Sequence, residues 1–158
     1  MFKSIVVNGV RLVVYPDGTI LRYSSKNQGD KLKKGWNILK GSINKLGYAN
    51  LKIQKKVYKL HRILGNAFLG LDIDNTKQEI DHIDRNRQNN NLRNLRVVTH
   101  QQNQFNRIFK GYTWNPINKK YQSRIKLNNK SIHLGYFDTS EEAHQVYLDA
   151  KKIHHIIE

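Results

Sequence analysis

The chain has no cysteine among its 158 residues. This absence excludes a disulfide framework and every zinc site that uses thiolate ligands. Apolar residues make up 38% of the sequence, which favours several small units of sheet and helix over one large core. No apolar run is long enough to span a membrane, and the N-terminus lacks a signal-peptide pattern. The sequence therefore predicts an intracellular protein of the host cytoplasm or nucleoid that is not secreted.

Acidic residues are scarce, since 12 Asp and Glu oppose 28 Lys and Arg for a formal net charge of +16. Such an excess indicates a polyanionic partner. Residues 1–60 carry most of it (13 − 2 = +11), whereas residues 61–109 (7 − 5 = +2) and 110–158 (8 − 5 = +3) are nearly balanced. No amphipathic basic helix supports a membrane surface as the partner. A lysine-rich surface without a ligand, or ribosomal binding, remains an alternative reading of the basic arm.

Turn signals and the alternation of apolar and polar residues predict that the first 60 residues form a β-rich unit. Asn8-Gly9 between the apolar runs Ser4–Val7 and Arg11–Tyr15 is a strong hairpin signal. Pro16-Asp17-Gly18 predicts a second turn, before a strand over Thr19–Tyr23. A further strand is predicted over Tyr48–Gln54, where apolar and polar residues alternate.

The rest of the chain mixes helices and strands. The spacing of Leu60 to Phe68 predicts a helix, and two strands follow over Glu79–His82 and Leu95–Val98. Two capping-box patterns predict helices, one from about His100 to about Ile108 and one after Thr139. The fold class is therefore α+β with three predicted parts, namely a basic β-rich unit (1–60), a central β-hairpin with a helix (61–109), and a three-stranded antiparallel sheet packed on one helix (110–158).

The Asp81-His82 pair beside an asparagine-rich loop suits the hydrolysis of a phosphodiester bond. That reaction needs an activated water and a cation that neutralises charge on the phosphate. His82 can take a proton from water, and Asp81 can hold a hard cation such as Mg²⁺. Neighbouring strand residues point to opposite faces, so the pair serves one site only if the strand twists or ends there. Taken singly, such a pair is more often an ordinary surface contact.

Residues 61–107 resemble HNH endonucleases of the homing type, through His61-Arg62, Ala67-Phe68, Asp81-His82-Ile83-Asp84, Asn86, Asn90, Asn94-Leu95-Arg96, Val98-Thr99 and Asn103. The resemblance implies a β-hairpin packed on a helix around one divalent cation, Mg²⁺ first and Mn²⁺ as the alternative. His82 matches the general base and Asn94 the residue that orients it. Asp81 and Asn103 match metal ligands, although His100 lies one turn before Asn103 and could compete. We interpret His61 as structural, and Arg62, Arg93 and Arg96 as phosphate contacts or loop anchors.

Residues 110–150 resemble the plant ethylene-response-factor DNA-binding domain, through Lys110-Gly111-Tyr112, Lys120-Tyr121-Gln122-Ser123-Arg124-Ile125 and the run from His133 to Ala143. The resemblance implies a sheet that enters the major groove of DNA. The matching groove-facing positions are Lys110, Thr113, Asn115, Lys120, Arg124, Lys126, Ser131 and His133. The chain departs from the plant pattern at Thr113, Asn115 and His133, so the target sequence cannot be inferred.

The N-terminal unit has a weaker likeness to the strand-rich region that precedes other homing HNH domains, and we expect Lys31, Lys33 and Lys34 in its loop to contact phosphates. Together these features predict a monomeric endonuclease of double-stranded DNA that nicks one strand, with a DNA-bound dimer left open. One alternative is a catalytically inactive DNA-binding regulator derived from such a nuclease. Another is an RNA-binding protein that uses Tyr48 and Trp36.

Overall fold

The structure, a computed structural model, describes residues 1–27, 33–75 and 77–157. It is α+β, with small sheets and helices in two compact units, Met1–Thr99 and His100–Glu158. Lys31 lies outside the described residues, so its predicted phosphate contact stays a prediction. In the part of the chain that is described, no helix is both long and apolar enough to cross a membrane.

The N-terminal unit opens with a four-stranded antiparallel sheet in sequence order, built from β1 (Lys3–Val7), β2 (Val10–Val14), β3 (Ile20–Ser24) and β4 (Gly35–Ile38). The turn between β1 and β2 falls at Asn8 and Gly9, which both have positive φ, at 48° and 72°. Asparagine and glycine tolerate this left-handed conformation, which is why the pair marks a tight hairpin. The first predicted hairpin is confirmed.

The same unit continues with a second sheet of β5 (Ser42–Ile43), β6 (Ala49–Ile53) and β7 (Lys56–Lys59), followed by helix α1 (Leu60–Phe68). A two-stranded antiparallel hairpin of β8 (Gln78–His82) and β9 (Leu95–Thr99) closes it. Strand β7 was not expected from the sequence, because Lys56–Lys59 offers only Val57 and Tyr58 as strand-forming residues. The strands predicted over Glu79–His82 and Leu95–Val98 are confirmed.

One hydrophobic core joins most elements of this unit. Leu12 and Ile20 from the four-stranded sheet join Ile63 of α1 and Ile80 and Leu95 of the hairpin in a single buried cluster. The core therefore runs across the predicted boundary at residue 60, although the division of function at 60 and 109 stays a prediction.

Helix α1 lies close against the hairpin because its surface carries a glycine. A Cβ atom on Gly65 would come within 2.5 Å of Ile80 Cδ1 and 3.2 Å of Leu71 Cδ2. Only a residue without a side chain lets the helix backbone approach β8 so closely without a shift. This contact fixes the strand that ends at His82 against the core.

The C-terminal unit begins with helix α2 (His100–Phe105), which starts as predicted but ends before the predicted Ile108. Arg107 N donates to Gln104 O at 3.1 Å, a turn that closes the helix, and Ile108 is 77% exposed. A helix extended to Ile108 would gain no packing there, so the predicted end was wrong.

The remainder of this unit is an antiparallel sheet of β10 (Tyr112–Asn115), β11 (Lys120–Leu127) and β12 (Lys130–Phe137), with helix α3 (Ser140–His154) against one face. Ser123 Oγ donates to Ala143 O at 2.9 Å, which fastens the sheet to the helix. Thr139 and Glu142 form the predicted capping box at the start of α3. The sheet and helix lie where the sequence predicts them, and the relation of this unit to the ethylene-response-factor domain stays a prediction.

Candidate active site

The asparagine-rich loop after β8 is built from a series of side-chain turns. Asp84, Asn86, Asn89 and Asn91 each accept, through Oδ1, a hydrogen bond from the backbone N–H two residues later, at 2.8 to 3.3 Å. Asp and Asn are the side chains that stabilise such turns, so the composition of the loop sets its shape. A loop with this internal bonding holds the end of the hairpin in one conformation.

Asn94 closes the loop where β9 begins. Its Nδ2 donates to Asp84 Oδ1 and to Asn89 O, each at 2.8 Å, and its Oδ1 accepts from Asp84 N at 3.0 Å. Its carbonyl also accepts from Ile83 N at 2.9 Å. Hydrogen bonds from Asn89, Asn86 and Asn94 lower the pKa of the exposed Asp84 carboxyl. Asn94 thus braces the loop that carries His82, and its predicted direct orientation of the imidazole stays a prediction.

His82 is the last residue of β8, so the condition that the strand end at the Asp-His pair is met. The ring is buried, and its Nε2 lies 3.3 Å from Asn90 Oδ1. Asn90 Nδ2 donates to Gln88 O at 3.0 Å, which directs Oδ1 toward the imidazole. An amide oxygen only accepts, so this contact places the proton on Nε2 and the lone pair on Nδ1. In that tautomer, Nδ1 is the nitrogen of the ring that can accept a proton.

Two further aromatic rings surround the imidazole of His82. The ring of His61 lies 5.1 Å away between centroids in an edge-on arrangement, and that of Tyr48 lies 6.1 Å away. Burial lowers the pKa of His82, against smaller opposing effects of Asn90, Asp84 and Asp81. Burial also lowers the pKa of His61, to about 3, and His82 adds to that effect. Both imidazoles are therefore neutral near pH 7, and the structural role predicted for His61 fits its packing.

Asp81 points away from solvent and is paired with an arginine across the hairpin. It lies opposite Arg96 in the strand register, and its Oδ2 accepts from Arg96 Nε at 2.9 Å and from one Arg96 Nη at 2.8 Å. The carboxylate is buried, and the Arg96 side chain is 27% exposed. Arg96, predicted as a phosphate contact or loop anchor, is an anchor in this respect, while its contact with DNA stays a prediction.

The buried carboxylate of Asp81 is an oxygen donor of the kind that a hard cation prefers. In residues 1–27, 33–75 and 77–157, no group of three or more His, Cys, Asp and Glu side chains could hold a metal ion. One carboxylate with waters and substrate oxygens is a usual donor set for Mg²⁺. Asn103 and His100 belong to α2 in the C-terminal unit, and their predicted relation to the metal stays a prediction.

Arg62 acts as a loop anchor in this structure. Its guanidinium donates to the carbonyls of Gln78, Asp72, Ile73 and Asn75 at 2.7 to 3.3 Å. These bonds tie the 72–78 segment to α1, which favours the anchor over the phosphate contact that was the other interpretation. Arg93 follows the cap residue Asn91 in the short helical turn Leu92–Asn94, and its contact with DNA stays a prediction.

The predicted reading residues share one face of the C-terminal sheet. Every second residue of β11 lies on this face, namely Lys120, Gln122, Arg124 and Lys126. Their cross-strand partners, in the same order, are Asn115, Thr113, His133 and Ser131. Lys120 also bonds Asp138 at 3.3 Å. Gln122 is held by His133 and Tyr136, at 3.1 and 3.3 Å, and by Arg124. The shared face of β11 is confirmed, and its use in reading DNA stays a prediction. Lys110 precedes β10, and its carbonyl accepts from His144.

Sequence reasoning assigned no role to Asn90 or to the surroundings of Tyr48. Tyr48 lies under two cations, with Lys59 Nζ and the Arg87 guanidinium 4.8 and 4.9 Å from the ring centroid. Asn90 occurs in a run of three asparagines, and only its burial distinguishes it from the half-buried Asn89 and the exposed Asn91. Asn90 is among the residues that match HNH endonucleases, but the resemblance assigned it no function.

Comparison with known proteins supports the identity of the central segment. Residues 58–105 match the family described as HNH endonuclease. A solved structure titled "DNA binding and cleavage by the HNH homing endonuclease I-HmuI" is 31% identical over 60% of this chain and 50% of that chain, with a TM-score of 0.44. This chain therefore spans about half the length of that protein. No curated protein matches. The family match confirms the resemblance of the central segment to HNH endonucleases, and it covers the hairpin, Asp81, His82, Asn94 and Asn103.

Proposed function

We propose that this protein is a metal-dependent endonuclease that hydrolyses a phosphodiester bond of double-stranded DNA, with His82 as its general base. The observation that carries the proposal is the hydrogen bond between His82 Nε2 and Asn90 Oδ1, beside Asp81, inside the segment that matches HNH endonucleases. A neutral imidazole with a fixed tautomer can accept a proton from water.

His82 would accept the proton of the attacking water at Nδ1 while Asn90 keeps the opposite nitrogen protonated. The lowered pKa of His82 keeps the lone pair available at neutral pH, so no proton has to be lost before the reaction begins. The braced loop of Asn94 and the edge of His61 would limit rotation of the ring. Preorganisation of this kind removes an orientation cost from the reaction.

Asp81 is the side chain that would hold a divalent cation in the N-terminal unit, with Asn103 as the second ligand assigned by resemblance. Bound there, Mg²⁺ or Mn²⁺ would neutralise charge on the phosphate and assist the leaving oxygen. Arg96 would share the Asp81 carboxylate with the cation.

Two surfaces would bring DNA to this site. The basic segment 1–60 would neutralise phosphates, with Lys33 and Lys34 beside β4. The face of β10–β12 that carries Arg124 and Lys126 would read the major groove. One site per chain implies a nick as the primary event, and a homing role in a mobile element is what the resemblance implies.

A catalytically inactive DNA-binding regulator is the second candidate, and the Asp81–Arg96 ion pair is the observation that favours it. A carboxylate already neutralised by a guanidinium has less to gain from a cation. Such a protein would bind DNA with or without Mg²⁺ and would leave a supercoiled plasmid intact.

A plasmid-nicking assay with and without Mg²⁺, beside gel-shift affinity, tests the proposal. We expect His82→Ala to lower the nicking rate by about 10²–10⁴-fold, because general-base catalysis contributes that much, with DNA affinity unchanged. Asn90→Ala should lower the rate less, since water can replace its bond to the ring. Asp81→Ala should lose nicking and regain part of it in excess Mn²⁺.

His154→Ala, which changes an exposed histidine at the end of α3, is the matched control and should nick at the normal rate. Wild-type protein that binds DNA and never nicks it would support the regulator. Normal nicking by His82→Ala in a nuclease-free preparation would remove His82 from catalysis.

A further inference from the structure

The outer face of the four-stranded sheet is an aromatic and aliphatic surface inside the most basic part of the chain. Its inner face is buried in the core through Leu12, Val14 and Ile20. On the outer face the cross-strand pairs are Val6 with Arg11, Val13 with Leu21, and Tyr23 with Trp36. Val6, Tyr23, Trp36 and Ile38 on this face are 69%, 41%, 45% and 67% exposed. Sheet faces open to water usually carry polar residues, so this face is unusual for a surface that meets only solvent.

A concave pocket of about 410 Å³ lies at the centre of this face. Rings from Phe2, Tyr15 and Trp36 form its walls, and Val13 and Leu21 form its floor. The Phe2 and Tyr15 rings contact each other with centroids 5.7 Å apart, and Phe2 is 55% exposed. A volume of this size is within the range of pockets that hold small molecules.

Arg11 is the charged residue of this pocket. Its side chain is exposed, and within residues 1–27, 33–75 and 77–157 it has no ion pair or side-chain hydrogen bond. An arginine beside exposed rings offers a guanidinium to a phosphate, while the rings offer flat surfaces to a base. This combination of flat aromatic walls and one cation matches the two chemical parts of a nucleotide.

We propose that this pocket binds an unpaired nucleotide of single-stranded DNA, with the base against Trp36 and Phe2 and the phosphate on Arg11. The choice of DNA over RNA rests on the proposed function, whereas the recognition of an unpaired nucleotide rests on the pocket alone. Bases in a duplex are already stacked on each other, so a duplex would not enter the pocket.

A second copy of the chain is the other occupant that an apolar face suggests, and charge argues against it. Residues 1–40 contain Lys3, Arg11, Arg22, Lys26, Lys31, Lys33, Lys34 and Lys40 but only Asp17 and Asp30 as acids. A symmetric dimer through this face would bring two such segments together at a formal charge of +16 per chain. The same positive charges favour a polyanion as the occupant of this face.

Binding of a fluorescein-labelled 12-mer of thymidine to the full-length chain, followed by anisotropy in EDTA, tests the proposal. We expect Trp36→Leu to weaken binding by about tenfold, the loss of one stacked base, and Arg11→Gln to weaken it severalfold. Affinity for a duplex of the same length should stay within about twofold in both variants. Ile38→Ala, an exposed aliphatic change on the same face outside the pocket, is the control and should leave single-strand affinity unchanged.

Unchanged single-strand affinity in folded Trp36→Leu and Arg11→Gln would overturn the proposal, as would an equal loss for duplex and single strand. Tighter binding of a uridine 12-mer RNA by tenfold or more would overturn the choice of DNA. A dimer in sedimentation that Trp36→Leu dissociates would assign the face to self-association instead.

If Trp36→Leu does not fold, photocrosslinking of wild-type protein to a 5-bromodeoxyuridine 12-mer decides the matter. Crosslinks in the peptides that hold Phe2, Tyr15 or Trp36 support the pocket, and crosslinks only elsewhere overturn it. EDTA keeps this binding separate from nicking, so a failure of the nuclease proposal would not be mistaken for a failure of this one.

Discussion

At the scale of single residues, His61 ties the stability of the N-terminal unit to pH. Its ring is 4% exposed, and in the described part of the chain its Nδ1 is buried with no hydrogen-bond partner. Burial lowers the pKa of His61 to about 3, whereas the unfolded chain restores the ordinary value of 6.5. Between these values the unfolded state binds one more proton, so stability is full above pH 6.5 and is lost as the pH falls toward 3.

We predict that the free energy of unfolding falls by about 1.4 kcal/mol per pH unit on account of His61 as the pH drops below 6.5. His61→Leu should reduce that slope, because the group that takes up the proton is gone. A smaller slope should remain, since burial also lowers the pKa of His82.

Urea denaturation at pH 7, 6 and 5 measures the effect. His154→Gln, an exposed histidine of α3, should keep the wild-type pH dependence. An identical slope in wild-type protein and His61→Leu would show that His61 is protonated in the folded chain.

At the scale of elements, close backbone approach holds the C-terminal sheet to its helix. Gly111 precedes β10 with φ of 76°, and a Cβ atom there would lie 1.9 Å from Tyr147 Cγ. Tyr147 is a buried residue of α3 and cannot move aside without opening the small core of this unit. The position therefore requires glycine for its conformation and for its space.

We predict that Gly111→Ala destabilises the C-terminal unit by about 3 kcal/mol, the sum of backbone strain and overpacking. Gly70→Ala is the matched control, because Gly70 has φ of 70° and no atom within 4 Å of its built Cβ among the described residues. Gly70→Ala should lower the free energy of unfolding only by the backbone strain, about 1 kcal/mol. Amide hydrogen exchange in β11 and α1 measures each unit separately. Equal losses would show that Tyr147 yields to the added methyl group.

The elements could be predicted where one residue type determines local geometry. Asn8-Gly9 marked its hairpin because both residues accept positive φ, and Thr139 with Glu142 marked the start of α3 because their side chains bond the free N–H groups. Strand β7 was missed because its evidence is its pairing with β6, which lies outside any local pattern. The end of α2 was misplaced because no local sequence signal marks the turn between Gln104 and Arg107 that closes the helix.

The site could be predicted only as far as sequence neighbours and the resemblance allowed. Asp81 and His82 stood out as a pair, but the bonds that define their chemistry join residues 8 and 15 positions apart, from His82 to Asn90 and from Asp81 to Arg96. Register between β8 and β9 sets the second of these, and no composition argument supplies a register. The four bonds from Arg62 to backbone carbonyls could not be predicted either, because they also join residues that are far apart in the sequence.

At the scale of the whole molecule, the net charge would set the strength of the DNA binding that we propose. Each phosphate that a cation neutralises releases counterions, so affinity should fall steeply with salt. Lys33 and Lys34 lie next to β4, where Asn37 fixes the backbone of Lys33 through bonds of 2.8 and 3.1 Å. The predicted contact of Lys33 and Lys34 with phosphates would therefore start from a fixed backbone at Lys33.

We predict that changing Lys33 and Lys34 together to alanine reduces the slope of log affinity against log salt by about two. Duplex affinity measured from low to moderate salt gives the slope. A Lys119 and Lys152 double change, in the C-terminal unit and outside the predicted reading residues, is the charge-matched control. If the control lowers the slope as much as the change of Lys33 and Lys34 does, the effect depends on net charge alone.

The core shared by the four-stranded sheet, α1 and the β8–β9 hairpin has a consequence for recombination. A crossover near residue 60 would separate Leu12 and Ile20 from Ile63 and Ile80, so a grafted N-terminus would arrive without the surface that fits the hairpin. Recombination can therefore replace the first 60 residues only if the side chains that pack against them are replaced as well. A junction after Thr99 keeps this core intact, but it parts Asp81 from Asn103, the second metal ligand that the resemblance assigns.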